Sequence, residues 1–198
     1  MTMMTKRTAW LAIVALVLGA AVSCVSCARN DDEPRGGATR LTDPTDAVSE
    51  DLMVALAQAK NYHHKAKVYT SDGNLGEAIA AVRQILAVPF PQGAPEAEDV
   101  RLDARALLAK LLVGQGKLDE ATRVVEEGLA AATRDSFFLA NLYTVKGEVL
   151  EAQAQVADDG SAEGKARADD AKRRAIAAYD KSIAINEELQ KQLLGRRP

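Results

Sequence analysis

A chain of 198 residues has room for one folded domain and a processing segment. Aromatic residues make up only 4% of it, and its apolar residues recur at helical rather than alternating spacing, which points to helices packed through small side chains. Lys6 and Arg7 are the only charges before Cys24, so a formal charge of −3 becomes −5 from Cys24 onward, and such a mildly acidic chain lacks the basic stripe that nucleic-acid binding needs.

Residues 1–27 have the three-part form of a secretory signal. Lys6 and Arg7 make a basic start, Ala9 to Val22 an apolar run broken by Gly19, and small residues with Cys24 and Cys27 close it. A spanning helix needs ~20 residues, so this run is expected to be cleaved off rather than kept as an anchor. Its end, Ala21-Val22-Ser23-Cys24, resembles the lipobox of bacterial lipoproteins, with Ala21 where that family most often has leucine. The resemblance implies a signal peptide over 1–23, a diacylglyceryl group on the Cys24 thiol and acylation of the freed amine. Several chains together make such an anchor stable, since one alone binds a membrane only marginally. Val25, in place of an aspartate, implies the outer rather than the inner membrane by the enterobacterial sorting rule, facing the periplasm. Two other readings stay open: modification at Cys27, and plain secretion with cleavage after Ser23 or Ser26. A redox role for Cys24 and Cys27 would need a helix N-terminus to lower a thiol pKa, and Ala28-Arg29-Asn30-Asp31-Asp32-Glu33-Pro34 offers none.

Between Ala28 and Asp46 the chain is charged, contains Pro34, Gly36, Gly37 and Pro44, and has no apolar period. Residues 24–46 therefore read as a lipidated N-terminus and a disordered tether. As a flexible coil the tether reaches roughly 25 Å.

Residues 47–198 read as an all-α domain of six helices. Val48, Leu52, Leu56, Ala59, Tyr62, Ala66 and Tyr69 predict a first helix beginning at Thr45 or Asp46 and broken by Asp72-Gly73-Asn74. The second carries Leu75, Ala78, Ile79, Val82, Ile85 and Leu86 and stops before Pro89 and Pro91. A third runs from about Glu96 to Gln115 through Ala104, Leu107, Leu108, Leu111 and Leu112, ended by Gly116. Leu118, Ala121, Val124, Val125 and Leu129 mark the fourth, and Phe138, Leu142, Val145, Val149 and Leu150 the fifth. After Asp158-Asp159-Gly160, with Ser161 as N-cap, a long sixth carries Ala175, Ile176, Tyr179, Ile183, Leu189 and Leu193.

These helices repeat as pairs. Tyr62-x2-Lys65-Ala66-x2-Tyr69 followed by Ala78-x3-Val82 matches Arg105-x2-Leu108-Ala109-x2-Leu112 followed by Ala121-x3-Val125, the second block starting nine positions after the first ends in both. Gly73-Asn74-Leu75-Gly76-Glu77-Ala78 likewise matches Gly116-Lys117-Leu118-Asp119-Glu120-Ala121. The pattern resembles the tetratricopeptide (TPR) repeat. In a third unit, Tyr143-x2-Lys146-Gly147-x2-Leu150 and Ala175-x3-Tyr179 stand 25 residues apart, so residues 156–171 read as an insertion lengthening both helices and their loop. The resemblance implies three antiparallel helix pairs in a right-handed solenoid, with units over about 59–92, 102–133 and 140–187. Small residues at Ala66, Ala78, Ala109 and Ala121 would let paired helices approach closely.

A search for chemistry is negative. His63 and His64 are adjacent, so on a helix they point about 100° apart and cannot share one ion. The glycines make helix turns rather than a phosphate loop, and Asp119-Glu120 and Glu126-Glu127 read as solvated surface. No catalytic residue, cofactor or metal is expected, and the chain is read as a non-enzyme. The family binds protein or peptide partners in a groove lined by the first helix of each pair. Carried onto this chain, that groove takes Lys60, His63, His64, Lys67 and Thr70, then Asp103, Ala106, Leu107, Lys110 and Val113, then Asn141, Thr144, Glu148 and Glu151. The expected function is that of a membrane-anchored adaptor binding an envelope protein. The alternative is a structural element that associates with copies of itself.

Overall fold

The computed structural model describes residues 49–195, which form six helices and no strand. The signal segment, Cys24 and the tether lie outside the described residues. So does the expected helix start at Thr45 or Asp46, and the first helix as described begins later. α1 spans Glu50–Ser71, with the Ser49 hydroxyl accepting from the Leu52 N–H at 3.2 Å and two acidic residues in its first turn. α2 (Leu75–Ala87) and α3 (Pro95–Gly114) follow, the latter with Pro95 in its first turn, where no backbone donor is missed. α4 (Leu118–Ala131) leads to α5 (Phe137–Ala157), capped by the buried Ser136 through Leu139 N–H. α6 (Ala162–Gly195) begins at Ser161, whose hydroxyl accepts from the Gly164 N–H at 2.9 Å, as its sequence position predicts.

Two turns have the same construction. Gly73 and Gly116 both take φ 73°, a left-handed value that costs a residue without Cβ nothing. In each turn the next N–H reaches back five residues, from Asn74 to Tyr69 O at 2.8 Å and from Lys117 to Leu112 O at 2.9 Å. Tyr69 and Leu112 are the residues that align in the sequence pattern. The third turn differs. Residues 158–161 link α5 to α6 in four residues against three in each of the other turns, so one extra residue lies in the loop and the rest of this unit's extra length lies in the two helices.

α1 packs on α2, α3 on α4 and α5 on α6, while α2 also packs on α3, α4 on α5 and α3 on α5. Ala66, Ala78, Ala109 and Ala121 are all fully buried, and Leu102, Leu112, Leu142, Val82, Val125 and Val145 fill the space around them. Ion pairs at the surface join neighbouring units, Arg83 to Glu120 and Lys146 to Glu126, each worth at most ~1 kcal/mol.

The last helix departs from the sequence expectation. Its buried stripe runs through Gly164, Ala168, Ala171, Ala175, Ala178, Ser182 and Ile185, in alternating steps of four and three. Ile176, Ile183 and Leu193, expected on the inner face, are 60%, 55% and 66% exposed. The reason is steric. α5 and α6 approach too closely for branched side chains along most of the seam. Gly147 sits so near the Tyr179 ring that a Cβ there would fall 2.3 Å from Tyr179 Cε1. Burial, then the hydrogen bond and charge of Glu151, then Glu148, push the Tyr179 hydroxyl up to about 12, so it stays a neutral donor.

The α4–α5 connection is tied back to the start of α3. One Glu98 carboxylate oxygen accepts the Thr133 N–H at 3.0 Å and the other the Thr133 hydroxyl, while Arg134 pairs with Asp99 at 2.6 Å. Burial works to raise the Glu98 pKa, but the bonds from Thr133 and the nearby Arg134 outweigh it and hold the carboxyl below its ordinary 4.5. A lowered pKa stabilises the fold above the ordinary carboxylate value, and the effect fades as pH falls through the lowered one. The Thr133 amide should therefore lose protection from hydrogen exchange only on acidification in the wild type, and at neutral pH in Glu98→Ala. Protection unchanged in the variant would show that this tie holds nothing.

Candidate binding groove

α1 and α3 do not pack along one another, although α3 and α5 do. Residues 88–94, with Pro89 and Pro91, make a longer connection between the first two hairpins than either helix turn does. The gap left between α1 and α3 is a cleft of about 310 Å3. Its α1 wall is Leu56, Ala59, Lys60 and His63, and its α3 wall Val100, Asp103 and Ala104. Ile85 of α2 forms the floor and Phe138 of α5 closes one end. Ala59 and Ala104, both buried, are too small to fill the space between the walls.

Three residues of the expected groove set meet here: Lys60, His63 and Asp103. Lys60 is exposed and has no ion pair among the described residues, and His63 is half-buried with its ring edge-to-face against exposed His64. The cleft is thus apolar inside, with a lysine on one rim and a carboxylate on the other. Lys67 lies two turns along α1 from Lys60, exposed and without an ion pair among the described residues. Leu107 and Asn141 are half-buried, and Leu107 packs on the main core. Lys110 and Glu148 pair with one another across α3 and α5 at 3.1 Å.

Other members of the expected set lie elsewhere. Ala106 is buried in the core. Thr70 turns its hydroxyl back to Ala66 O at 2.8 Å, a bond within its own helix. Thr144 faces α6, its hydroxyl 2.9 Å from that of buried Ser182, and Glu151 lies beside Tyr179. These two misplacements share a cause. α6 covers the side of α5 that the repeat register assigns to the open groove. Phe138 was not foreseen in the groove, although it stands three residues before Asn141 and so on the same helix face. Val100 and Ile85 carried no signal at all, because nothing in their own helices distinguishes a cleft wall from a core position.

Compared with protein-family models, with curated proteins and with solved structures, the chain matches none. No helix among the described residues is long and apolar enough to cross a membrane.

Proposed function

We propose that this chain is a lipid-anchored adaptor of the bacterial cell envelope, held at a membrane through Cys24, which binds a protein partner in the cleft between α1 and α3. The observation that carries this reading is the cleft itself: an apolar interior with Lys60 on one rim and Asp103 on the other. A preformed pocket for one large apolar side chain, with polar groups at its edge, is how a helix or peptide is anchored and oriented. The rims favour a ligand whose apolar anchor is flanked by an acidic residue towards Lys60 and Lys67 and a basic one towards Asp103. His63, half-buried between them, lends a ring face. The exposed ends of Leu107, Asn141 and the paired Lys110 and Glu148 extend the same surface along α3 and α5. No reaction, cofactor or metal is part of this function.

The architecture proposed with it is a right-handed TPR-like solenoid of three helix pairs. Supporting it are the identical Gly73 and Gly116 turns, the four fully buried alanines in matching positions and the order in which neighbouring helices pack. The tether would let the domain reach a partner within a few nanometres of the membrane.

A photo-crosslinking residue placed at Lys60 or Asp103 in living cells is expected to capture one envelope protein. The same residue at Arg123, exposed on α4, should capture nothing specific. Equal capture from both positions would remove the groove from the account. For the anchor, cells fed an alkyne-bearing fatty acid should label the wild-type chain and leave Cys24→Ala unlabelled. Label retained in that variant and lost in Cys27→Ala would move the anchor three residues on.

A second reading rests on α6. Ile176 and Ile183 stand exposed one heptad apart on a helix that packs against α5, and Leu193 and Leu194 are exposed near its end. Such a row favours association between copies of the chain. Sedimentation of wild type beside Ile176→Lys/Ile183→Lys separates the readings: a monomer in both leaves the adaptor alone, and a dimer lost in the variant supports self-assembly.

A further inference from the structure

We propose that a second cleft, between the α2–α3 connection and the α4–α5 connection, binds a carboxylate carried on an apolar body. This cleft measures about 670 Å3 and lies on a different face of α3 from the groove. The α3 side uses Ala97, Arg101, Leu102 and Arg105, where the groove uses Val100, Asp103 and Ala104. Phe90, Pro91 and Pro95 form one wall, and Thr133 and Arg134 stand on the other.

The charges at this cleft do not cancel. Glu98, the acid that lines it, is engaged by Thr133, while neighbouring Asp99 pairs with Arg134 through one oxygen and keeps the other buried without a partner among the described residues. Arg101 lies over the Phe90 ring, 5.3 Å from its centroid, and has no hydrogen bond or ion pair among the described residues. Arg105 has no hydrogen bond or ion pair among the described residues, and its Nε is buried without a partner. Two guanidinium groups one helical turn apart thus border the same cavity, and neither forms an ion pair among the described residues. Burial depresses the Arg105 pKa, Glu127 acts against this from α4 and Arg101 adds to it. An oxyanion bound between the guanidinium groups would offset the repulsion of these two like charges.

The site is also built to hold Arg105 in place. A Cβ on Gly128 would come within 2.9 Å of Arg105 Cδ and 2.6 Å of Leu142 Cδ2, so glycine in α4 leaves the lane along which the arginine stem lies. The class of ligand follows from the rest of the lining. A planar guanidinium fork matches a carboxylate in geometry. Phe90, Leu102 and the prolines offer an apolar wall for the body that carries it, and Glu98 and Asp99 close by disfavour a dianion such as phosphate.

The test is a titration of the full-length, 15N-labelled protein in neutral detergent with N-acetyl-leucyl-phenylalanine as its free acid, followed through the arginine Nε–H signals. The expected result is a saturable shift at Arg105 and Arg101, absent with the C-terminal amide of the same dipeptide. Binding should weaken about tenfold or more in Arg105→Met and in Arg101→Gln, the loss of one charge-assisted bond. Arg101 lies towards the surface, so its variant decides the matter even if Arg105→Met fails to fold. No saturable shift with the free acid, equal binding of the amide, or tighter binding of inorganic phosphate would each overturn the proposal.

Discussion

Gly147→Ala is expected to destabilise the protein by about 1–3 kcal/mol, although alanine is the better helix former. In the interior of an exposed helix the same change would add up to about 1 kcal/mol of stability. Here the new methyl group would meet the Tyr179 ring at 2.3–2.8 Å on three of its carbons. A rigid ring held between two helices cannot rotate out of the way as a flexible chain end would. α6 would have to move off α5, and Thr144 and Ser182 would lose their 2.9 Å contact one turn along. Thermal or denaturant unfolding of Gly147→Ala, Tyr179→Ala and the double variant checks this. The double variant should lose less than the sum of the two single losses, with Gly147→Ala neutral or stabilising once the ring is gone. A stabilised single variant would mean that the two helices do not approach as described.

Leu142→Ala and Ile183→Ala should differ far more than their side chains do. Leu142 is fully buried among the helices of the core, while Ile183 is 55% exposed. Truncating the leucine leaves a cavity and should cost about 2–5 kcal/mol. Truncating the isoleucine, which loses little packing and gains in helix propensity, should stay within about 0.5 kcal/mol. Midpoints of urea unfolding at equal slope read both directly. A large loss at Ile183 would place it inside an interface, and self-association would then be its natural explanation.

These two residues also show what was legible in the sequence. The helices and their turns could be read because glycines, prolines and caps mark ends locally, as Gly73, Gly116 and Ser161 do. The buried alanines could be read because the pattern repeats. The inner face of α6 could be read only in part, at Ala175, because hydrophobicity gives weight to Ile176, Ile183 and Leu193, whereas close helix packing also selects Ala168, Ala171 and Ala178. In the groove, Lys60, His63 and Asp103 follow from register alone. The pairing of Lys110 with Glu148 joins residues 38 positions apart, and Phe138 closes the cleft from a third helix. Neither is encoded in any local window. Nothing in the sequence marks Arg101 and Arg105 as a pair, since Arg105 reads only as the first residue of the second repeat block and the cavity both border is closed by two separate connections.

The adaptor function is tested most directly by affinity capture after crosslinking in cells, with four versions of the full chain side by side: wild type, Cys24→Ala, Lys60→Glu/Lys67→Glu and Lys165→Glu/Lys181→Glu. All four lysines are exposed and none has an ion pair among the described residues, so each double variant should fold. The account predicts one envelope protein recovered with the wild type and the α6 variant, lost with the α1 variant and reduced without Cys24. Recovery of the chain alone, or of the same partner in equal amount with the α1 variant, would contradict it.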